Sequence, residues 1–132
     1  MASQSFSDVD AGVRAAIATY TQALDDGRTE DILSTFCVDG GIDIPGMGVH
    51  AGYDALYQAY AKWKPRQPQR HLVVNTLITA WNDHEASAVS DVVFLLLGDT
   101  GWTVQVVGRY EDTLHCYEGR WRFHQRRAEF VR

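Results

Sequence analysis

The chain has 132 residues, of which 45% are hydrophobic and 22% charged, so residues 1–132 are expected to form one folded domain rather than a disordered segment. The formal net charge of -5 argues against the broad basic surface that nucleic-acid-binding proteins present. No apolar run is long enough for a membrane span, and the two cysteines, Cys37 and Cys116, lack the spacing of a disulfide or metal site. We therefore expect a cytoplasmic protein with no nucleic-acid or membrane partner.

The first half of the chain has helical periodicity. Apolar residues from Val9 to Leu24 recur every three or four positions, which predicts a helix over 7–26, capped by Ser7 or Asp8. A short second helix from about Thr29 would turn Phe36 inward. A third helix is predicted by a stripe of apolar and aromatic residues before Pro65. Its members, which form either a pocket lid or part of the core, are Tyr53, Leu56, Tyr57, Tyr60 and Trp63.

The second half has strand periodicity. A short strand at 42–44 is followed by strands near 69–81, 86–97, 102–117 and 120–131, joined by hairpin turns. Alternation places Trp102 and Val104 on the same buried face as Tyr110. The segment 92–97 is apolar throughout, so we expect helices to cover one of its faces and a second subunit of a homo-oligomer, a dimer or trimer, to cover the other.

Helices followed by an antiparallel meander predict an α+β fold. In this arrangement a curved, cone-shaped sheet wraps around the N-terminal helices as an α+β barrel and encloses a hydrophobic pocket. We expect the partner of such a pocket to be a small hydrophobic molecule.

Two residues are candidates for proton-transfer chemistry. His71 shares a face of the first long strand with Val73 and Asn75, although a lone histidine in a strand is more often structural. Asp25 lies in the last turn of the first helix, on the flank of its apolar stripe, where the helix dipole disfavours a negative charge. An Asp/His pair can move protons near neutral pH. Asp91, the only charge within 86–97, also requires a partner.

Other chemistries lack a motif in this sequence. The remaining histidines, His50, His84, His115 and His124, show no metal-ligand spacing, and no phosphate-binding glycine loop or nucleophile elbow occurs. We expect neither a metal nor another cofactor.

Several motifs together resemble those of a known superfamily. They are Tyr20-x4-Asp25-x-Gly27, Asp39-Gly40, Arg70-His71-x3-Asn75, and Gly108-x-Tyr110-x-Asp112 continuing through Glu118-Gly119-x-Trp121-x-Phe123-x2-Arg126. Across nearly its whole length the chain resembles the nuclear transport factor 2-like superfamily. Within it the chain resembles the SnoaL-like branch, which includes scytalone dehydratase, bile-acid 7-alpha-dehydratase and hexachlorocyclohexane dehydrochlorinase.

The resemblance implies roles for individual residues. His71 would remove a proton from carbon, Asp25 would orient it, and Tyr20 would polarise the substrate. Asp91 and Arg126 match polar positions of relatives, although strand parity turns Arg126 inward only through a bulge or at an open end of the barrel. Two further candidates for substrate contact are Asn75 and Trp63.

These observations favour a cofactor-independent lyase of the dehydratase or dehydrohalogenase type, acting on a small, hydrophobic, cyclic substrate. Two alternatives stay open, because the fold hosts several functions. One is a proton-transfer enzyme such as a ketosteroid-isomerase-like protein or a cyclase, and the other is a non-catalytic small-molecule binding module.

Overall fold

The computed structural model describes residues 3–131, which form three helices and six strands. The helices are α1 (Phe6–Asp26), α2 (Thr29–Leu33) and α3 (Tyr53–Lys62). The strands are β1 (Phe36–Ile44), β2 (Gly48–Ala51), β3 (Gln69–Trp81), β4 (Glu85–Gly98), β5 (Gly101–Tyr117) and β6 (Arg120–Phe130). The four long strands match the predicted segments to within one residue at each end.

The ends of α1 follow from local hydrogen bonding. The Ser5 hydroxyl accepts the Asp8 N–H, and the Asp8 carboxylate accepts the Ser5 N–H. This reciprocal capping starts the helix one residue before the predicted start, so the predicted caps Ser7 and Asp8 are wrong. At the other end, Gly27 adopts the left-handed conformation (φ 70°) and donates its N–H to the Leu24 carbonyl.

One curved sheet, in the order β2-β1-β6-β5-β4-β3, carries the fold. All pairings are antiparallel except β1 with β6, and this mixed α+β arrangement confirms the predicted fold class. Phe36 belongs to β1 and not to α2 because the Phe123 N–H donates to the Thr35 carbonyl, which draws this segment into the sheet. Its side chain is buried all the same.

The helices cover the concave face of the sheet. α1 contributes Val9, Val13 and Tyr20 to a core that also includes Leu114 and Phe123 of the sheet. None of the helices in residues 3–131 is long and apolar enough to cross a membrane.

The aromatic face of α3 divides into buried and exposed parts. Leu56, Ala59 and Tyr60 form the buried stripe of this helix. Tyr53 and Tyr57 lie at the edge of that stripe, at ~100° per residue, and remain exposed, with their rings stacked 6.3 Å apart. The expectation that both belong to a lid or to the core is therefore wrong.

Register breaks in three of the long strands change which residues face inward. In β5 an extra residue at Gln105 turns Trp102 and Val104 outward, so their predicted burial is wrong. In β6 the extra residue is His124, and Arg126 turns inward as a result. β3 has two breaks, of which the first lies at Asn75, whose φ is 56°.

Candidate active site

A cavity of about 360 Å³ opens between the concave face of the sheet, α1 and α3. Its wall is largely apolar and aromatic, as is typical of sites for small molecules. The lining residues are Tyr20, Leu24, Ile44, Met47, Tyr60, Trp63, Gln69, His71, Val92, Phe94, Val106, Tyr110, Ala128, Glu129 and Phe130. Predicted contacts Tyr20, Trp63 and His71 are among them.

Asp25 and His71 are in direct contact at the wall of this cavity. His71 Nδ1 lies 2.6 Å from Asp25 Oδ1, and the His71 backbone N–H donates to Asp25 Oδ2 at 2.7 Å. The His71 side chain is 15% exposed and the Asp25 side chain is 5% exposed. The carboxylate therefore holds His71 by both its ring and its backbone.

Two structural elements create this contact. α1 ends beside β3, which lies at one edge of the six-stranded sheet, so the His71 N–H points out from that edge toward Asp25. Asp25 accepts this hydrogen in place of a strand carbonyl. The end of α1 lies beside the cavity wall, so Asp25 contacts His71 from behind that wall, although it stands on the flank of its helix.

The contact also defines the state of the imidazole. A carboxylate only accepts hydrogen bonds, so Nδ1 carries a hydrogen and Nε2 of the neutral ring is the nitrogen with a free lone pair. Phe94 stacks on the ring with centroids 4.4 Å apart and planes inclined by 21°. Phe94 therefore fixes the plane of the imidazole, and Asp25 fixes its tautomer.

Gln69 is a site residue that the sequence interpretation missed. Its Nε2 donates to Asp25 Oδ1 at 3.1 Å, and only 6% of the residue is exposed. The available signal was strand parity, because Gln69 precedes His71 by two positions and shares its face. Asp25 consequently accepts three hydrogen bonds.

Tyr20 and Tyr60 form a buried hydroxyl pair in the cavity wall, with oxygens 2.6 Å apart. Burial raises the pKa of Tyr20 and raises that of Tyr60 well above its usual value. Both hydroxyls therefore stay protonated at neutral pH. One hydrogen is used between the two oxygens, which leaves the other for a further acceptor.

Arg126 lies behind the cavity wall, and its predicted role as a cavity-lining contact is wrong. Its guanidinium is fully buried and binds Asp112 through Nε at 2.9 Å and Nη2 at 3.2 Å. The Tyr110 ring covers it at 3.6 Å, and the Tyr20 ring lies 4.5 Å away. The Tyr110 and Tyr20 rings line the cavity and separate Arg126 from it. Arg126 therefore packs behind both rings and supports them.

Asn75 and Asp91 lie on the convex face of the sheet, outside the cavity. Asn75 Nδ2 donates to Asp91 Oδ2 at 2.9 Å, and Arg109 approaches the other oxygen at 3.4 Å. The Asn75 hydrogen bond, helped by Arg109, lowers the pKa of Asp91. The first break in β3 turns Asn75 away from the face of His71. The predicted placement of Asn75 and Asp91 in the pocket is therefore wrong.

Comparisons with known proteins agree with this architecture. A family model for the SnoaL-like domain matches residues 7–127. A Catenulispora acidiphila protein solved in complex with S-DNPA is 25% identical, with a TM-score of 0.84 and coverage of 94% of each chain. A proposed scytalone dehydratase from Novosphingobium aromaticivorans is 20% identical, with a TM-score of 0.82 over 93% of this chain and 84% of the other.

A Mycobacterium tuberculosis protein of unknown function is 24% identical, with a TM-score of 0.86 over 93% of this chain and 72% of the other. No curated protein sequence matches this chain significantly. A nuclear transport factor 2-like protein from Novosphingobium aromaticivorans also shares the fold, at 18% identity and a TM-score of 0.79, over 92% of this chain and 81% of the other. The chain belongs to the SnoaL-like domain family, and it shares its fold with a nuclear transport factor 2-like protein.

Proposed function

We propose that this protein is a cofactor-independent lyase of the dehydratase or dehydrohalogenase type. Its substrate would be a small, hydrophobic, cyclic molecule with an acidic C–H next to an electron-withdrawing group. The observation that carries the proposal is the 2.6 Å contact between His71 Nδ1 and Asp25 Oδ1 at the wall of an apolar cavity.

In the proposed reaction His71 is the general base. Its Nε2 takes the proton from carbon, the C–H electron pair forms the new carbon–carbon double bond, and the bond to the leaving group on the neighbouring carbon breaks. If that group is a hydroxyl, it takes the proton from the His71 imidazolium and leaves as water; if it is a halogen, it leaves as halide and the proton stays on His71 until solvent removes it. Asp25 stabilises the imidazolium that forms, as a carboxylate does for a histidine base.

The tyrosine pair would supply the electrophilic part of the site. As the proton leaves, negative charge moves onto the electron-withdrawing group of the substrate. The hydroxyl hydrogen that Tyr20 and Tyr60 do not use between themselves can bind an oxygen of that group. Because burial keeps both hydroxyls protonated, the pair acts as a donor and not as a second base.

Replacing His71 tests the assignment. We expect His71→Gln to lower the turnover of cyclic β-hydroxyketones or β-haloketones by about 10²-fold or more, because glutamine cannot take a proton at neutral pH. Turnover is measured by the ultraviolet absorbance of the conjugated product and by halide release. The matched control is His84→Gln, since His84 is exposed and away from the cavity.

The same assay separates the proposed lyase from its alternatives. Retention of more than a tenth of the activity in His71→Gln, at unchanged circular dichroism, would contradict a role for His71 as base. Product formation without loss of water or halide would indicate an isomerase. Binding of these hydroxyketones or haloketones without any product would indicate a binding module.

A further inference from the structure

The orientation of the Gln69 amide follows from its partner. Asp25 Oδ1 is an acceptor, so the Gln69 atom 3.1 Å from it is the nitrogen, and the amide oxygen Oε1 points to the other side. Gln69 itself lines the cavity. Hydrogen bonding with Asp25 thus fixes which end of the amide is available to a bound molecule.

Within residues 3–131, no donor forms a hydrogen bond with Gln69 Oε1. The residue is 94% buried by the protein around it, at 6% exposure, so few positions are open to water. Gln69 Oε1 is not one of the fully buried side-chain atoms that lack a partner, so it keeps accessible surface, and a ligand in the cavity can donate a hydrogen bond to it. This makes the amide oxygen a recognition element rather than a neutral part of the wall.

We propose that Gln69 is a specificity-determining residue that selects an uncharged ligand bearing a hydroxyl or N–H donor beside His71. The proposal deepens the lyase assignment but rests on it only for the statement that this donor lies next to the reacting carbon. Gln69 Oε1 and His71 Nε2 are both acceptors on one strand face, two residues apart, and together they favour a donor and disfavour a carbonyl or an anion.

The charge of the wall supports an uncharged ligand. Among the lining residues within 3–131 there is neither lysine nor arginine, and the one carboxylate side chain there belongs to Glu129. Asp25 lies directly behind Gln69 and His71 and adds a second negative charge. A carboxylate or phosphate ligand would enter without a cationic partner.

A pair of probes tests this selection without requiring turnover. The first is 2-naphthol, which carries a hydroxyl donor, and the second is 2-methoxynaphthalene, which has the same ring system without the donor. The measured quantity is the ratio of the affinity for 2-naphthol to the affinity for 2-methoxynaphthalene. We expect this ratio to be about three- to tenfold larger in the wild-type protein than in Gln69→Met. Methionine matches the length of glutamine and removes its amide. The control Gln22→Met makes the same change on the exposed face of α1 and should keep the wild-type ratio.

Two outcomes would overturn the proposal. The first is an affinity ratio in Gln69→Met equal to that of the wild type. The second is a preference for 2-naphthol that disappears in His71→Leu but persists in Gln69→Met. That result would assign the donor contact to His71 alone. If Gln69→Met does not fold, the Gln69 side-chain amide resonances of the wild-type protein serve instead. They should shift on addition of 2-naphthol and much less on addition of 2-methoxynaphthalene, and equal shifts would contradict the proposal. Because these are binding measurements, failure of the lyase assignment leaves their result unaffected.

Discussion

Adjacent aspartates at the end of α1 show how a single position decides the use of a carboxylate. Asp26 forms a solvent-exposed contact with Arg28 at 3.4 Å, and surface pairs of this kind contribute little. Asp25, one residue earlier, is turned toward β3 and accepts three hydrogen bonds while almost fully buried. Such a carboxylate is rigid, and it imposes its geometry on the groups that donate to it.

This rigidity predicts the effect of removing the charge of Asp25. In Asp25→Asn the amide oxygen can satisfy the His71 backbone N–H, but the amide NH₂ then faces His71 Nδ1. Because both would be donors, the imidazole is expected to move its hydrogen to Nε2 and lose its lone pair on the cavity side. We expect kcat to fall by roughly 10²- to 10⁴-fold with the fold intact.

The measurement combines kinetics with nitrogen-15 NMR of the imidazole, which distinguishes the two tautomers. Asp26→Asn is the matched control, because it makes the same change one residue away on the surface, and it should alter neither readout. An Asp25→Asn protein with an unchanged tautomer and wild-type kcat would show that the carboxylate does not orient the base.

At the scale of elements, irregular strands decide which side chains reach the cavity. Without the extra residue in β6, Arg126 would face outward with His124. The break at Asn75 has the opposite effect, since it keeps His71 and Val73 on the concave side but turns Asn75 out toward Asp91. A regular β3 would place both His71 and Asn75 in the pocket.

These breaks mark the limit of what the sequence could predict. Periodicity identified α1 and the four long strands, and resemblance paired Asp25 with His71. Alternation assumes an unbroken period of two, so it misplaced Trp102 and Val104, which lie beyond an extra residue whose position depends on pairing with β4. Only for Arg126 did the sequence indicate that a bulge or an open end was needed.

The backbone of Asn75 gives a test of this irregularity. Its φ of 56° is tolerated by asparagine and glycine but is strained for a β-branched residue. We expect Asn75→Val to lower the free energy of unfolding by about 1–3 kcal/mol more than Asn75→Gly does.

Both substitutions remove the same hydrogen bond to Asp91, so the difference isolates backbone strain. Urea denaturation monitored by tryptophan fluorescence measures it. Equal stability of the two variants would show that β3 does not depend on this conformation.

At the scale of the whole molecule, the convex face of the sheet carries an apolar surface near the cavity end. We define this convex patch by Leu72, Val74, Val93, Leu95, Trp102, Val104 and Val107. Five of its members are between 44% and 59% exposed, namely Leu72, Val74, Trp102, Val104 and Val107. Val93 and Leu95, which are partly buried, connect them through the pairing of β3, β4 and β5.

Contiguous exposed apolar surface on a folded domain is typical of an interface. The outward turn of Trp102 and Val104 enlarges this patch. A second copy of the chain that covered the patch would bury both side chains. We therefore expect the protein to form a homo-oligomer through the convex patch, in accord with the coverage predicted for 92–97. A stable association of this kind buries about 800 Å² on each partner.

Introducing a charge at the centre of the patch tests this expectation. Val107 pairs with Val93 in the middle of the surface, so Val107→Asp would place an unpaired carboxylate in an apolar interface. Light scattering coupled to size-exclusion chromatography should show an oligomer for the wild type and a monomer for Val107→Asp at the same concentration. Val49→Asp, at an exposed valine on β2 at the opposite edge of the sheet, should remain oligomeric. A monomeric wild type, or an oligomer that Val107→Asp leaves intact, would mean that the convex patch is not the surface through which copies associate.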